Sequence, residues 1–192
     1  MNLINKSILT TLLSSSVLFS LGCGGEEEVV EAPKTIKTVV KKPKPKTTVQ
    51  LMDELSIDNR IFVDELEAPR EEKSRIALLQ FFDAMLKSDV ASLKNSISMG
   101  DRIELEAMIN AGLSEYMNTV TRLDLKIGLD PSGSDCVMGV FEIGMDYQVQ
   151  LWGFQFDGQK STFTSMPTQP NLVDTLSGNW ITSYFALIDK QT

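Results

Sequence analysis

The chain has 192 residues, a net charge of −8 and no histidine. That length holds one domain of ordinary size with appendages, and the acidic balance lacks the basic footprint of a nucleic-acid binder. Without histidine there are no imidazole metal sites and no His-based triads, and two cysteines cannot staple a disulfide-dense fold.

Residues 1–23 read MNLINKSILTTLLSSSVLFSLGC. Lys6 supplies a positive charge, and Ile8 to Leu21 form an apolar run of 14 residues. A membrane-crossing helix needs about 20. The charged start, short apolar run and small residues at its end therefore predict a secretory signal peptide over residues 1–22. Its last residues, Ser20-Leu21-Gly22-Cys23, resemble the lipobox of bacterial lipoproteins. The resemblance implies cleavage between Gly22 and Cys23, and acylation of Cys23 on sulfur and on its new amine. Ser20 departs from the leucine usual at its place. Each buried lipid methylene contributes about 0.8 kcal/mol, and one chain alone holds weakly, so the two or three chains of this class make a stable anchor. In enteric bacteria an aspartate after the cysteine retains a lipoprotein in the inner membrane. Gly24 stands there, which implies the periplasmic face of the outer membrane. With Cys23 acylated, Cys136 is the one remaining thiol and no intrachain disulfide can form.

Gly24 to Gln50 carry three prolines, six lysines and four glutamates, net +2, with no aromatic residue. Such a composition buries too little surface to offset the ordering of the chain. Residues 23–50 therefore read as the lipidated cysteine followed by a disordered spacer. The spacer spans roughly 30 Å as a coil and at most about 80 Å as polyproline II. Residues 51–192 carry 11 basic against 22 acidic groups, net −11, so the folded part is strongly acidic.

Met52 to Ile57 read as a short helical lead-in. After Pro69, the residues Ile76, Leu79, Phe82, Met85 and Leu86 recur at helical steps. Asp89 is placed to cap a second short helix through Leu93 and Ile97. Gly100-Asp101 open a third, in which Leu105, Met108, Ile109, Gly112 and Leu113 keep helical spacing. The period then changes. Leu123, Leu125, Ile127 and Leu129 alternate with polar residues, which predicts a half-buried strand. The segment Asp130-Pro131-Ser132-Gly133 is a turn. Val137 to Tyr147, Val149 to Phe156 and Lys160 to Ser165 read as three further strands, the last two joined at Asp157-Gly158. Leu172, Leu176, Trp180, Tyr184 and Ile188 step by fours into a closing helix. The expectation is a single α+β domain over 51–192: N-terminal helices on one face of a four-stranded antiparallel meander, and a C-terminal helix.

This layout resembles the nuclear-transport-factor-two-like and polyketide-cyclase-like cone folds. The likeness lies in the leading amphipathic helix, Ala77-Leu78-Leu79-Gln80-Phe81-Phe82-Asp83-Ala84-Met85-Leu86-Lys87-Ser88-Asp89, followed by short helices and long strands. Folds of that group often enclose an apolar pocket, which the resemblance implies here on the curled sheet. The enzymes of that group use a histidine-containing dyad that this chain lacks, and their usual ending is a strand.

The chemistry-bearing motifs mostly resolve into structure. Cys136 has Asp135 beside it and no histidine to lower its pKa, so it reads as an inert buried thiol. The loop Asp130–Asp135 places oxygens at alternate positions, as a calcium loop does. It lacks the glycine at the sixth place and the glutamate at the twelfth, where Phe141 stands, so it reads as a turn. Gly153 to Ser161 lies one residue from a P-loop pattern but is flanked by strands rather than opening a helix. Glu142 and Asp146 sit four apart on one expected strand, on one side of it, with Asp124 across from them. Paired carboxylates of this kind can run acid–base chemistry on a sugar, and a polar solvent face predicts the same acids. Trp152, Phe154 and Phe156 share a strand face that is either core or a ligand or partner surface.

No catalytic residue, metal ligand or cofactor is therefore expected. The leading expectation is a non-catalytic, lipid-anchored envelope protein that presents an acidic domain to another envelope protein or to the cell wall. The alternative is a module that binds a small apolar molecule, and a carboxylate-dependent hydrolase comes third.

Overall fold

The computed structural model describes residues 44–168 and 173–190. Gly22, Cys23 and most of the expected spacer lie outside the described residues, as does Leu172.

The first described element is a helix, α1 (Thr48–Leu55). Thr47 accepts from the Gln50 backbone N–H while the Gln50 side chain accepts from that of Thr47, a reciprocal cap that starts the helix. The domain boundary expected at Gln50 therefore falls inside α1, whose Thr48 and Leu51 are buried. A short strand, β1 (Ile61–Val63), follows. Then come the long helix α2 (Glu72–Leu86) and the short helices α3 (Val90–Ser96), α4 (Asp101–Asn110) and α5 (Leu113–Thr119). Asp89 caps α3, accepting from the Ser92 N–H. The third helix read from spacing is in fact two, because Gly112 turns the chain with φ +95 between α4 and α5.

Four strands follow: β2 (Arg122–Leu129), β3 (Asp135–Ile143), β4 (Asp146–Phe156) and β5 (Ser161–Met166). The sheet has five strands in chain order rather than the expected four, and it is mixed. β1 pairs parallel with β2, and the other pairs are antiparallel. Three residues without alternation left β1 invisible to a pattern search. The expected strand Val137 to Tyr147 is interrupted. Gly144, with φ +64, opens a two-residue hairpin with Met145, and Tyr147 pairs back against Glu142.

Both faces of the sheet are covered, which corrects the expectation of helices on one face. Val137, Phe141, Trp152, Phe154, Phe163, Leu123 and Leu125 face α2 and its neighbours in one core. Cys136, Met138, Val140 and Leu151 face the other way, onto Leu176, Ile181 and Tyr184. The last two belong to α6 (Trp180–Ile188), which is shorter than the closing helix expected from Leu172. Val173–Thr175 form a separate 3-10 turn, and Asn179 caps α6 by accepting from the Thr182 N–H. The Asn179 amide also donates to the Ile127 carbonyl at 3.3 Å, and the Tyr184 hydroxyl donates to the Pro167 carbonyl at 2.8 Å.

The docking of α6 needs a bare backbone at Gly128. A Cβ there would stand 2.8 Å from the Ile181 Cβ and 3.0 Å from Asn179 Oδ1, neither of which is a free side-chain end. Gly128→Ala is expected to push α6 off β2 and to lower the urea unfolding free energy by about 1–3 kcal/mol. An unchanged midpoint would mean that α6 does not rest on β2.

Candidate ligand-binding site

The site grows from α2. Its Phe81 is buried and stacks on Phe163 of β5, with ring centroids 3.8 Å apart and planes within 5°. It also meets Trp152 of β4 edge-on at 5.1 Å and Phe82 edge-on at 5.0 Å. This cluster closes one end of the space between helices and sheet. Towards the other end α4 and α5 arch over β3 and β4, and a cavity of about 420 Å³ remains beneath them. That is within the range of small-molecule sites.

The cavity walls are mainly apolar: Phe81 and Met85 from α2, Leu105 and Met108 from α4, Leu113 and Met117 from α5, and Phe141 and Trp152 from the sheet. A few polar groups converge on it: Asp101, Glu104, Tyr116, Gln148, Gln150 and Ser165. Tyr116 donates to Gln148 Oε1 at 2.5 Å, tying α5 to β4, and burial pushes its hydroxyl pKa up. Gln150 donates to Ser165 Oγ at 3.0 Å and to the Met166 carbonyl at 3.2 Å. Trp152, 9% exposed, keeps its indole N–H buried without an acceptor.

Polar contacts hold the two ends of the arch, beside the buried Leu113 and Met117 of α5. At the start of α4, Asp101 Oδ2 accepts from the Ser98 hydroxyl at 2.6 Å and from the Ser165 N–H at 3.1 Å. At the end of α5, Arg60 donates to the Met117 and Val120 carbonyls, both at 3.0 Å. Asp58 accepts twice from the Arg60 guanidinium, at 3.0 and 2.7 Å, and these bonds hold the Asp58 carboxyl below the usual carboxylate range.

Trp152, Phe154 and Phe156 share one face, as read from the sequence, and it is turned towards the helices. Their roles diverge. Trp152 is a cavity wall, while Phe154 stacks on Phe163 at 4.9 Å inside the core. Phe156 borders a separate surface groove beside Lys73 and Lys160. The helical walls were legible only as core residues. Their one further signal is α4, which buries Leu105 alone and leaves Met108 half-exposed.

The carboxylate arrangement does not assemble. Glu142 lies on β3 and Asp146 on β4, and the register puts them on opposite faces of the sheet, because Asp146 pairs with Ile143. Asp124 is occupied by Arg122, at 2.6 and 2.8 Å. Asp130 Oδ1 serves its own turn, accepting from Ser132 and Ser134 N–H groups. Asp157 Oδ1 does the same with the Gln159 and Lys160 N–H groups, and the strand β5 rather than a helix follows. Burial, with Asp130 and Asp135 adding to it, pushes the Cys136 thiol up to about 11. Among the described residues no group of three or more His, Cys, Asp and Glu is placed to hold a metal ion, and no helix is long and apolar enough to cross a membrane. No family model, curated protein or solved structure matches the chain.

The Asp58–Arg60 pair gives a signed pH test. A lowered folded pKa contributes stability that is whole above the ordinary carboxylate value near 3.9 and is lost as pH falls through the folded value. Asp58→Asn is expected to cost about 1.5–3 kcal/mol near neutral pH. In urea titrations from pH 7 to pH 2.5 its difference from the native chain should shrink below about pH 3.9. A difference constant over that range would show that the carboxylate charge contributes nothing.

Proposed function

We propose that the chain is a non-catalytic, lipid-anchored protein of the cell envelope whose folded unit holds a small, mainly apolar molecule. The anchor half of this reading rests on Gly22 and Cys23 in the lipobox-like signal, followed by the Lys- and Pro-rich stretch. The ligand half rests on one observation, the cavity of about 420 Å³ between α4–α5 and the sheet. Apolar walls supply affinity through burial, at roughly 25 cal/mol per Å², and the few polar groups orient what enters.

The placement of that cavity also supports the kinship with the cone folds, in which helices and a curled sheet enclose a pocket. The helix α6 on the far face is a departure from them. A second reading, an acidic domain that docks on an envelope protein or the cell wall, is favoured by exposed Met99, Ile103, Met145 and Tyr147. The hydrolase reading rested on Glu142 and Asp146, and these two occupy opposite faces of the sheet.

The deciding measurement is a native mass spectrum of the unit Lys42–Thr192, which is compact by itself, after incubation with an organic extract of the host envelope. An added mass of small-molecule size is expected. It should vanish in Met108→Trp, which fills the cavity mouth from a half-exposed wall position. A bare monomer in both proteins would favour the docking reading. For the anchor, Cys23→Ser is expected to abolish incorporation of labelled palmitate and to release the protein from the membrane fraction. Retention of label would place the lipid elsewhere.

A further inference from the structure

We propose that the cavity selects a cationic amphiphile, an apolar body under α4 and α5 with a protonated amine at the mouth beside Asp101 and Glu104. This inference rests on the ligand-binding reading and adds the chemical class of the ligand. Among the described residues, the cavity lining has two charged side chains, and both are carboxylates. They stand three residues apart in the first turn of α4, so they point to the same side of that helix. No lysine or arginine lines the cavity, and neither carboxylate is in an ion pair with a described residue.

The two carboxylates differ in what they can offer. Asp101 commits Oδ2 to Ser98 and Ser165, which fixes its position, and Glu104 is exposed. An ammonium group set between a fixed and a mobile carboxylate gains from both. A carboxylate headgroup meets two like charges in a domain that is already strongly acidic. Selection thus arises as much from repulsion of anionic amphiphiles as from attraction of cationic ones.

The interior sets the other half of the demand. The Trp152 side chain walls the cavity, and its indole N–H is buried away from the open space. The walls are mainly apolar, so the body of the ligand gains by burial rather than by hydrogen bonds. The apolar interior and the carboxylates at its rim together describe a ligand with an apolar body and a positive end, and they disfavour a plain fatty acid.

Three probes with one apolar body and different heads separate the possibilities: octylamine, octanol and octanoate at neutral pH. They are titrated into the Lys42–Thr192 unit carrying Trp180→Phe, so that Trp152 in the cavity wall is the remaining tryptophan and its emission reports occupancy. Octylamine is expected to bind at least tenfold more tightly than octanoate, with octanol between them. Glu104→Lys, at an exposed position, should bring the amine and the acid level or reverse their order. Equal binding of the three probes, or tightest binding of octanoate, overturns the charge selection and leaves the ligand-binding reading standing. Failure of all three to change Trp152 emission, or to add mass in a native spectrum, overturns both.

Discussion

The stacking of Phe81 on Phe163 is the contact on which the rest of the folded unit depends. It joins the longest helix to β5 of the sheet, and a stacked or edge-on aromatic pair contributes about 0.5–1.5 kcal/mol beyond its area. Phe81 makes three such contacts, to Phe163, Phe82 and Trp152. They fix the height of α2 above the sheet. They also fix where the cavity starts, because Trp152 is both a partner of Phe81 and a wall of that space. Gly139 belongs to the same constraint. A Cβ there would lie 3.3 Å from the Phe82 ring and 3.0 Å from that of Phe141, so an alanine would require these rings to give by a few tenths of an ångström.

The second constraint is that β3 is buried on both faces. Its side chains alternate between the core under α2 and the core under α6, so a one-residue slip would exchange Val137 and Phe141 with Cys136, Met138 and Val140. The register is thereby fixed from two sides. The mouth-lining residues of β4 inherit that precision, since Gln148 pairs with Phe141 and Gln150 with Gly139.

Sequence periodicity located most elements, and the failures have physical causes. The strands β2, β4 and β5 were legible from alternation and turn residues, and α2 and α3 from spacing and the Asp89 cap. The hairpin at Gly144-Met145 was missed because Met145 reads as apolar strand sequence although it is 97% exposed. The error moved Asp146 onto the wrong face and created a carboxylate pair that does not exist. The strand β1 has three residues and owes its place to pairing with β2, a long-range contact that no local pattern records. Burial on both sides of the sheet was visible in principle. The run Cys136-Val137-Met138-Gly139-Val140-Phe141 has no polar residue, as a strand covered on both faces should. The cavity is not visible in the residue pattern alone; only the resemblance to the cone folds implies a pocket. Leu113 and Met117 look the same in sequence whether they meet another side chain or line a space.

The cavity survives because of how α4 is held. A helix that buried several large side chains would collapse into the space below it, since interiors close to crystal-like density. α4 buries Leu105 alone, and its start hangs from β5 through Ser98, Asp101 and Ser165. Hydrogen bonds of fixed length at one end and the left-handed Gly112 at the other set its height without needing side chains to fill the gap. An element held by few apolar contacts opens at low free energy. The feature that keeps the cavity from filling is therefore also the one that lets its rim open, between α4 and β4.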